Sequence, residues 1–204
     1  MHDQPPTPYE NPAEQPEPTQ TYEAAPRPSP AIYVASLADY NNGHLHGEWM
    51  DAARDPAEIY TDIDAMLARS KEPDAEEFAI HDYEQFGDCR IHEYNSIDFV
   101  SHIAKGIKEH GYAFAAWAEV HESDPDRFDD FGRAYLGHYN SLETYAFQIA
   151  DDLGYNTEVA KLPDSMQAYV KVDTAAMARD LELSGGVYVA PDPNGGVWLF
   201  DGNV

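Results

Sequence analysis

Cysteine occurs once in 204 residues, as Cys89, so no disulfide forms within the chain and no paired-cysteine metal motif exists. Basic residues are scarce. The 12 Lys and Arg stand against 38 Asp and Glu, for a formal net charge of -26 and a pI near 4.3. Such a chain is repelled by DNA, RNA and anionic lipid, which argues against direct nucleic-acid binding and against a membrane partner. No apolar run reaches the roughly 18 residues of a membrane span, and no N-terminal stretch has the make-up of a secretory signal. The expected location is the cytoplasm. Phosphate-cradling glycine loops, a dinucleotide fingerprint and a Gly-x-Ser-x-Gly elbow are also missing. The acid-rich run 124–130 lacks the sixth-position glycine and twelfth-position glutamate of a calcium loop. No cofactor, metal or catalytic residue is therefore assigned.

What is present is enough apolar material for a folded chain: 43% apolar and 12% aromatic, including 14 Tyr. A wholly disordered acidic chain would carry less. Residues 1–30 differ, since they hold nine of the fifteen prolines without apolar periodicity and read as a disordered, partly extended arm. Order is expected from Ala31. The run 31–37 reads as a strand, Asn41-Asn42-Gly43 as a turn, and His44 to Trp49 as a returning strand. Asp55-Pro56-Ala57-Glu58 supplies a cap, a first-position proline and an acid in the first turn. A helix over 56–69 follows, with Ile59, Ile63, Met66 and Leu67 on its buried face. Strands are expected at 78–81 and 89–94.

A second, helical unit spans 95–133. Ser96 caps a helix to His110 with Phe99, Val100, Ile103 and Ile107 inward, Gly111 stops it, and Tyr112–His121 forms another with Phe114, Trp117 and Ala118 inward. The third unit, 134–204, holds a helix from Ser141 to Leu153 with Leu142, Tyr145, Ala146, Ile149 and Leu153 as its stripe. A helix capped by Asp173 and a hairpin of 186–190 with 196–200 complete it. The fold class is α+β, in three small domains at 31–94, 95–133 and 134–204.

Charge of this size exceeds the magnitude of roughly 2 to 8 that keeps a small domain soluble. Residues 31–204 hold 33 acids against 11 bases, a net -22, and the acids run through segments that read as folded. Duplex DNA carries one negative charge per ~1.7 Å, so 22 charges equal roughly 37 Å of helix and a dimer roughly 75 Å. Such a surface is built to look like nucleic acid, and its natural partner is a basic groove. Local rules are broken in favour of charge: Glu58 and Asp62 repel across one helical turn, and Asp151 and Asp152 oppose a helix dipole. Six acids fall within 72–84 and six within 119–130. Other chemistry has weak signals. His44-x-His46, with His81 and Asp82, is the best metal candidate, but nine histidines produce such spacing easily, and Cys89 reads better as a small buried thiol than as a nucleophile.

Ile32-Tyr33-Val34-Ala35-Ser36-Leu37-Ala38-Asp39-Tyr40-Asn41-Asn42-Gly43, Gly47-Glu48-Trp49 and Ala79-Ile80-His81-Asp82-Tyr83-Glu84 resemble the ArdA antirestriction proteins, DNA mimics of conjugative plasmids, transposons and phages. Tyr169, the run Ala178 to Gly186 and the final hairpin extend the resemblance over about 31–201. It implies an elongated three-domain chain, a homodimer joined through its C-terminal domain, and a curved acidic surface. That surface would occupy the DNA groove of type I restriction–modification enzymes, without catalysis. The acids expected to carry the contact are Asp51, Glu58, Asp62, Asp74, Glu76, Glu77, Asp82 and Glu84 in the first unit. Glu119, Glu122, Asp124, Asp126, Asp129 and Asp130 follow in the second, and Glu143, Asp151 and Asp152 in the third. Asp55 and Asp173 are set aside as caps. Rival readings are an acidic decoy of another DNA-binding protein, a histidine–carboxylate metal hydrolase, and a halophilic housekeeping protein.

Overall fold

A computed structural model describes residues 27–73 and 75–204. The Pro-rich segment 1–26 and Asp74, both singled out in the sequence, lie outside the described residues. The fold is mixed α+β: among the described residues there are nine α-helices, one 3-10 helix and two three-stranded antiparallel sheets.

The first sheet has the order β2-β1-β3, with β1 (Ala31–Ser36) central, β2 (Gly47–Asp51) on one side and β3 (Phe78–Glu84) on the other. Between β1 and β2 the chain forms a short helix, α1 (Leu37–Asn41), which the strand-and-turn reading missed. Ser36 starts it, its Oγ accepting from the Asp39 amide at 3.3 Å. α2 (Pro56–Leu67) begins as expected, with the Asp55 carboxylate accepting from the Ala57 amide at 2.9 Å. Ile59, Ile63, Met66 and Leu67 are all buried. They meet Ile32, Val34, Met50 and Ile80 from the sheet in one core, and each such side chain contributes about 1.5–3 kcal/mol when fully withdrawn from water.

The strand expected at 89–94 does not form. A single bond, from the Ile80 amide to the Glu93 carbonyl at 3.0 Å, ties this stretch to β3, while Cys89 N bonds back to Phe86 O and Asn95 N to His92 O. Local turns take the backbone groups that a strand would have offered, and Cys89 and Ile91 enter the core from a loop.

α3 (Ile97–His110) is capped by Ser96 and ends at Gly111, whose φ of 73° lies where L side chains are rare. α4 (Tyr112–Val120) packs back on α3. Gly106 permits the contact, because a Cβ there would sit 2.3 Å from the Phe114 ring. A 3-10 helix (Pro125–Asp130) and α5 (Phe131–Ala134) bring Phe128 and Phe131 onto Phe114, with ring centroids 6.1 and 5.2 Å away. Phe131 and Trp117 in turn touch Phe200, so one buried cluster runs from β1 through α4 to the last strand.

The second sheet, order β4-β6-β5, combines β5 (Val187–Pro191) and β6 (Val197–Asp201), the expected hairpin, with β4 (Tyr135–Tyr139), which the sequence reading lacked. α6 (Leu142–Asp152) and α9 (Thr174–Leu183) pack together, capped by Ser141 and Asp173 as expected. Leu153 departs from the anticipated stripe: it is 61% exposed, because the helix has ended and Gly154 turns the chain away at φ 79°. Two further short helices, α7 (Tyr155–Ala160) and α8 (Asp164–Gln167), bury none of their residues.

Candidate functional site

The acids singled out in the sequence are carried by several parts of the fold. On the first sheet, register decides the face. Tyr33 of β1 lies between Trp49 of β2 and Asp82 of β3, and Ala31 lies between Asp51 and Glu84. Directly opposed residues in an antiparallel pair share a face, so Asp51, Asp82 and Glu84 stand on the side away from Ile32 and Val34. Positions two apart on β3 are ~6.8 Å apart, and β2 and β3 are separated by two strand spacings, ~9.6 Å. Asp82 and Glu84 are exposed, and Asp51 is half-buried with the Lys108 ammonium 3.6 Å away.

Glu58 and Asp62 occupy one side of α2, ~6 Å apart along its axis. Glu58 is exposed. Asp62 is held by Arg54 at 2.5 Å. Glu76 and Glu77, both exposed, precede β3. Their backbone is fixed where the Leu37 amide donates to the Glu77 carbonyl at 3.0 Å.

In the middle of the chain, Asp124, Asp126 and Asp129 are exposed around the 3-10 helix. Glu119 accepts from the Arg90 amide at 3.2 Å, Glu122 lies 3.3 Å from His92, and Asp129 lies 3.2 Å from His102. Asp130 is turned toward its own chain, bonded by Arg133 and with Arg127 at 3.9 Å. Glu143, Asp151 and Asp152 are exposed on α6; Glu143 accepts from the Thr174 hydroxyl at 3.0 Å, and Asp151 from the Asn156 amide at 3.4 Å. Among the described residues, Glu58, Glu76, Glu77, Glu84, Asp124, Asp126 and Asp152 have neither an ion pair nor a side-chain hydrogen bond. Of the acids singled out in the sequence, these seven are the ones most open to an outside cation.

Sequence reasoning passed over other exposed acids, among them Asp64, Asp88, Glu93, Asp98, Asp180 and Glu182. They stand apart from the dense runs, and only their exposure to solvent in the folded chain brings them out. It also passed over the aromatic content of the outer sheet face, although the alternation of Ala31 and Tyr33 with Ile32 and Val34 was there to be read.

The anticipated chemical candidates separate. The His46 Nε2 lies 2.8 Å from the Met66 carbonyl, whereas His44 Nδ1 lies 3.4 Å from Glu72, so the two rings have different partners. Among the described residues no three His, Cys, Asp or Glu side chains are grouped to hold a metal. Burial pushes the Cys89 thiol up to about 12, with the charges of Glu119 and Glu122 adding to the effect. A thiol so placed is not a nucleophile at neutral pH. The Ser70 hydroxyl, 2.5 Å from the Asp39 carboxylate, and then that of Ser36 hold Asp39 below its ordinary value of 3.8, which makes it a structural acid between α1 and the end of α2. A cavity of about 400 Å³ between α4 and the second sheet is lined by Trp117, His121, Arg127, Glu182, Tyr188 and Asp201. Burial, then the Arg127 charge, pushes the His121 imidazole below its ordinary 6.5.

No helix among the described residues is long and apolar enough to cross a membrane. No curated protein matches the chain. A family model described as antirestriction protein (ArdA) matches residues 32–193, from the central strand of the first sheet to the turn of the last hairpin. That span takes in the first sheet, strands β4 and β5 of the second and every acid expected to carry the contact, and this chain belongs to the ArdA family of antirestriction proteins.

Proposed function

We propose that this protein is an acidic mimic of duplex DNA that occupies the basic DNA groove of type I restriction–modification enzymes and blocks restriction by competition, without catalysing a reaction. The observation that carries this reading is the disposition of the seven unpaired carboxylates. All are exposed: Glu58, Glu84, Asp126 and Asp152 stand on α2, β3, the central 3-10 helix and α6, whereas Glu76, Glu77 and Asp124 stand in the loops that lead into β3 and the 3-10 helix. Carboxylates on strands and helices keep their spacing, so a cationic groove meets them without first ordering them. Long-range attraction steers capture, and the charge of residues 31–204 supplies it.

The partner on the other side is a second copy of the chain. The C-terminal unit leaves Phe147, Leu153, Met166, Tyr169 and Leu183 exposed, Tyr169 at 88% and Leu183 at 79%. Five large exposed apolar side chains on one unit support an association surface there, and pairing there would double the length of the acidic ridge. The three-unit, elongated arrangement and the cytoplasmic location belong to the same proposal.

The test is displacement. A type I enzyme is bound to labelled duplex at about 50 mM salt and titrated with this protein, and the series is repeated at higher salt. Release of the duplex in proportion to added protein is expected, with restriction falling in step. Failure to displace duplex at any ratio, by a protein that remains folded, rejects the reading.

A further inference from the structure

The outer face of the first sheet carries an aromatic pair that the charge pattern does not require. Tyr33 and Trp49 are cross-strand partners with ring centroids 5.6 Å apart. The Tyr33 ring also covers the backbone at Gly47, where a Cβ would come within 2.9 Å of the Tyr33 ring and 2.4 Å of the Val34 carbonyl. Trp49 is 47% exposed, whereas the other two tryptophans, Trp117 and Trp198, are 2% and 8% exposed. The apolar face of this sheet is already satisfied on the opposite side by α2. An indole in water on the far side therefore adds nothing to that core.

Its surroundings say what suits it. Tyr33 has Trp49 on one side and Asp82 on the other, and the next rung of the same face places Ala31 between Asp51 and Glu84. An electron-rich ring face beside carboxylates fits a planar cation that stacks and donates hydrogen bonds at once. Guanidinium does both, and ammonium stacks less well because it is more strongly hydrated.

We infer that Trp49 and Tyr33, flanked by Asp82 and Glu84, form a docking site for an arginine side chain of the partner's DNA-binding surface. The inference rests on the DNA-mimic reading for the identity of the partner, but the arginine preference belongs to this face of the sheet. It gives the interaction a short-range anchor within an otherwise long-range attraction. Buried aromatic and arginine contacts of this kind commonly dominate interface energies.

The experiment uses the full chain and two probes, an oligo-arginine and an oligo-lysine peptide of equal length. Affinities for the native chain and every variant are read by titration calorimetry, and in the native chain Trp49, as the exposed tryptophan, also reports binding through protection of its fluorescence from acrylamide. Oligo-arginine is expected to bind more tightly and to protect the indole. Trp49→Leu, which keeps an apolar side chain, is expected to weaken oligo-arginine about 5- to 30-fold and oligo-lysine far less. Trp49→Phe should retain part of the preference. Asp82→Asn with Glu84→Gln should weaken both peptides alike. Equal affinity of the two peptides for the native chain, or an equal loss for both in Trp49→Leu with its melting temperature unchanged, overturns the inference. The same variants in the duplex-displacement assay separate the two proposals. If the native chain displaces duplex and Trp49→Leu does so equally well, the arginine site is wrong and the mimic stands. Arginine preference at Trp49 without displacement of duplex leaves the site standing and removes the restriction enzyme as partner.

Discussion

Replacing Glu58, Glu76, Glu77 and Glu84 together by glutamine removes four charges from the first unit without breaking a contact within the described residues. Exposed ion pairs contribute about 0.2–1 kcal/mol each. Four of them amount to about 1–4 kcal/mol, a loss of affinity for a basic groove of about 5-fold to several hundred-fold. Folding is expected to be unharmed, and slightly favoured. Glu58 repels Asp62 one turn away, and such pairs cost a few tenths of a kcal/mol. Asp62→Asn is the contrasting variant: it removes the partner of Arg54, 2.5 Å away, and should affect stability more than potency. The assay is displacement of labelled duplex from a type I enzyme at about 50 mM and 1 M salt, with circular dichroism and thermal melts alongside. At 1 M the Debye length falls to about 3 Å, and the difference between native and quadruple variant should collapse. A quadruple variant that melts like the native protein and displaces duplex within twofold of it at low salt would falsify the assignment of these carboxylates.

Three further outcomes follow from local geometry. Asp39 has its carboxyl lowered below 3.8 on folding by the Ser70 and Ser36 hydroxyls, so it contributes stability above that value and loses it as pH falls through the lower folded value. Asp39→Asn should therefore lower the melting temperature at pH 7, with the gap to the native protein closing in acid; a gap independent of pH would contradict this. Cys89, buried and with its thiol pushed up to about 12, should resist alkylation at pH 8 in the native protein and react promptly in denaturant, as mass spectrometry would register. Gly106→Ala places a Cβ 2.3 Å from the buried Phe114 ring. The strain of about 1–3 kcal/mol offsets the roughly 1 kcal/mol of helix propensity gained, so urea melts should show no gain and a net loss of up to about 2 kcal/mol.

The proposed homodimer has its own check. Leu183→Asp places a charge at an exposed apolar position of the C-terminal unit, and, if that unit pairs the chains, sedimentation at micromolar concentration should show half the mass of the native species.

Helices with a clean apolar period were legible before any coordinates: the faces of α2, α3 and α4, and the caps Ser96, Ser141 and Asp173, stand as the pattern indicated. So was the family, carried by short runs within residues 32–193. What failed were segments whose backbone has more than one satisfactory set of hydrogen bonds. Leu37–Asn41 has the composition of a strand end, yet Ser36 caps it into a helix. Residues 89–94 have the apolar content of a strand, yet turns at Cys89 and Asn95 take their amides. β4 is recruited by β6, about 60 residues later, and no local period announces such pairing.

The same division holds for the acidic surface. Sequence alone determined the net charge, its spread over the folded segments and the apolar faces that force the acids outward, because charge is additive and period is local. Only the tertiary structure decided which carboxylates are open and which are taken up by Arg54, Lys108 or Arg133, since those cations come from other elements or turn back along their own. Register across β1, likewise, brought Trp49, Tyr33 and Asp82 into one row, because side chains far apart in the chain become neighbours only when strands pair.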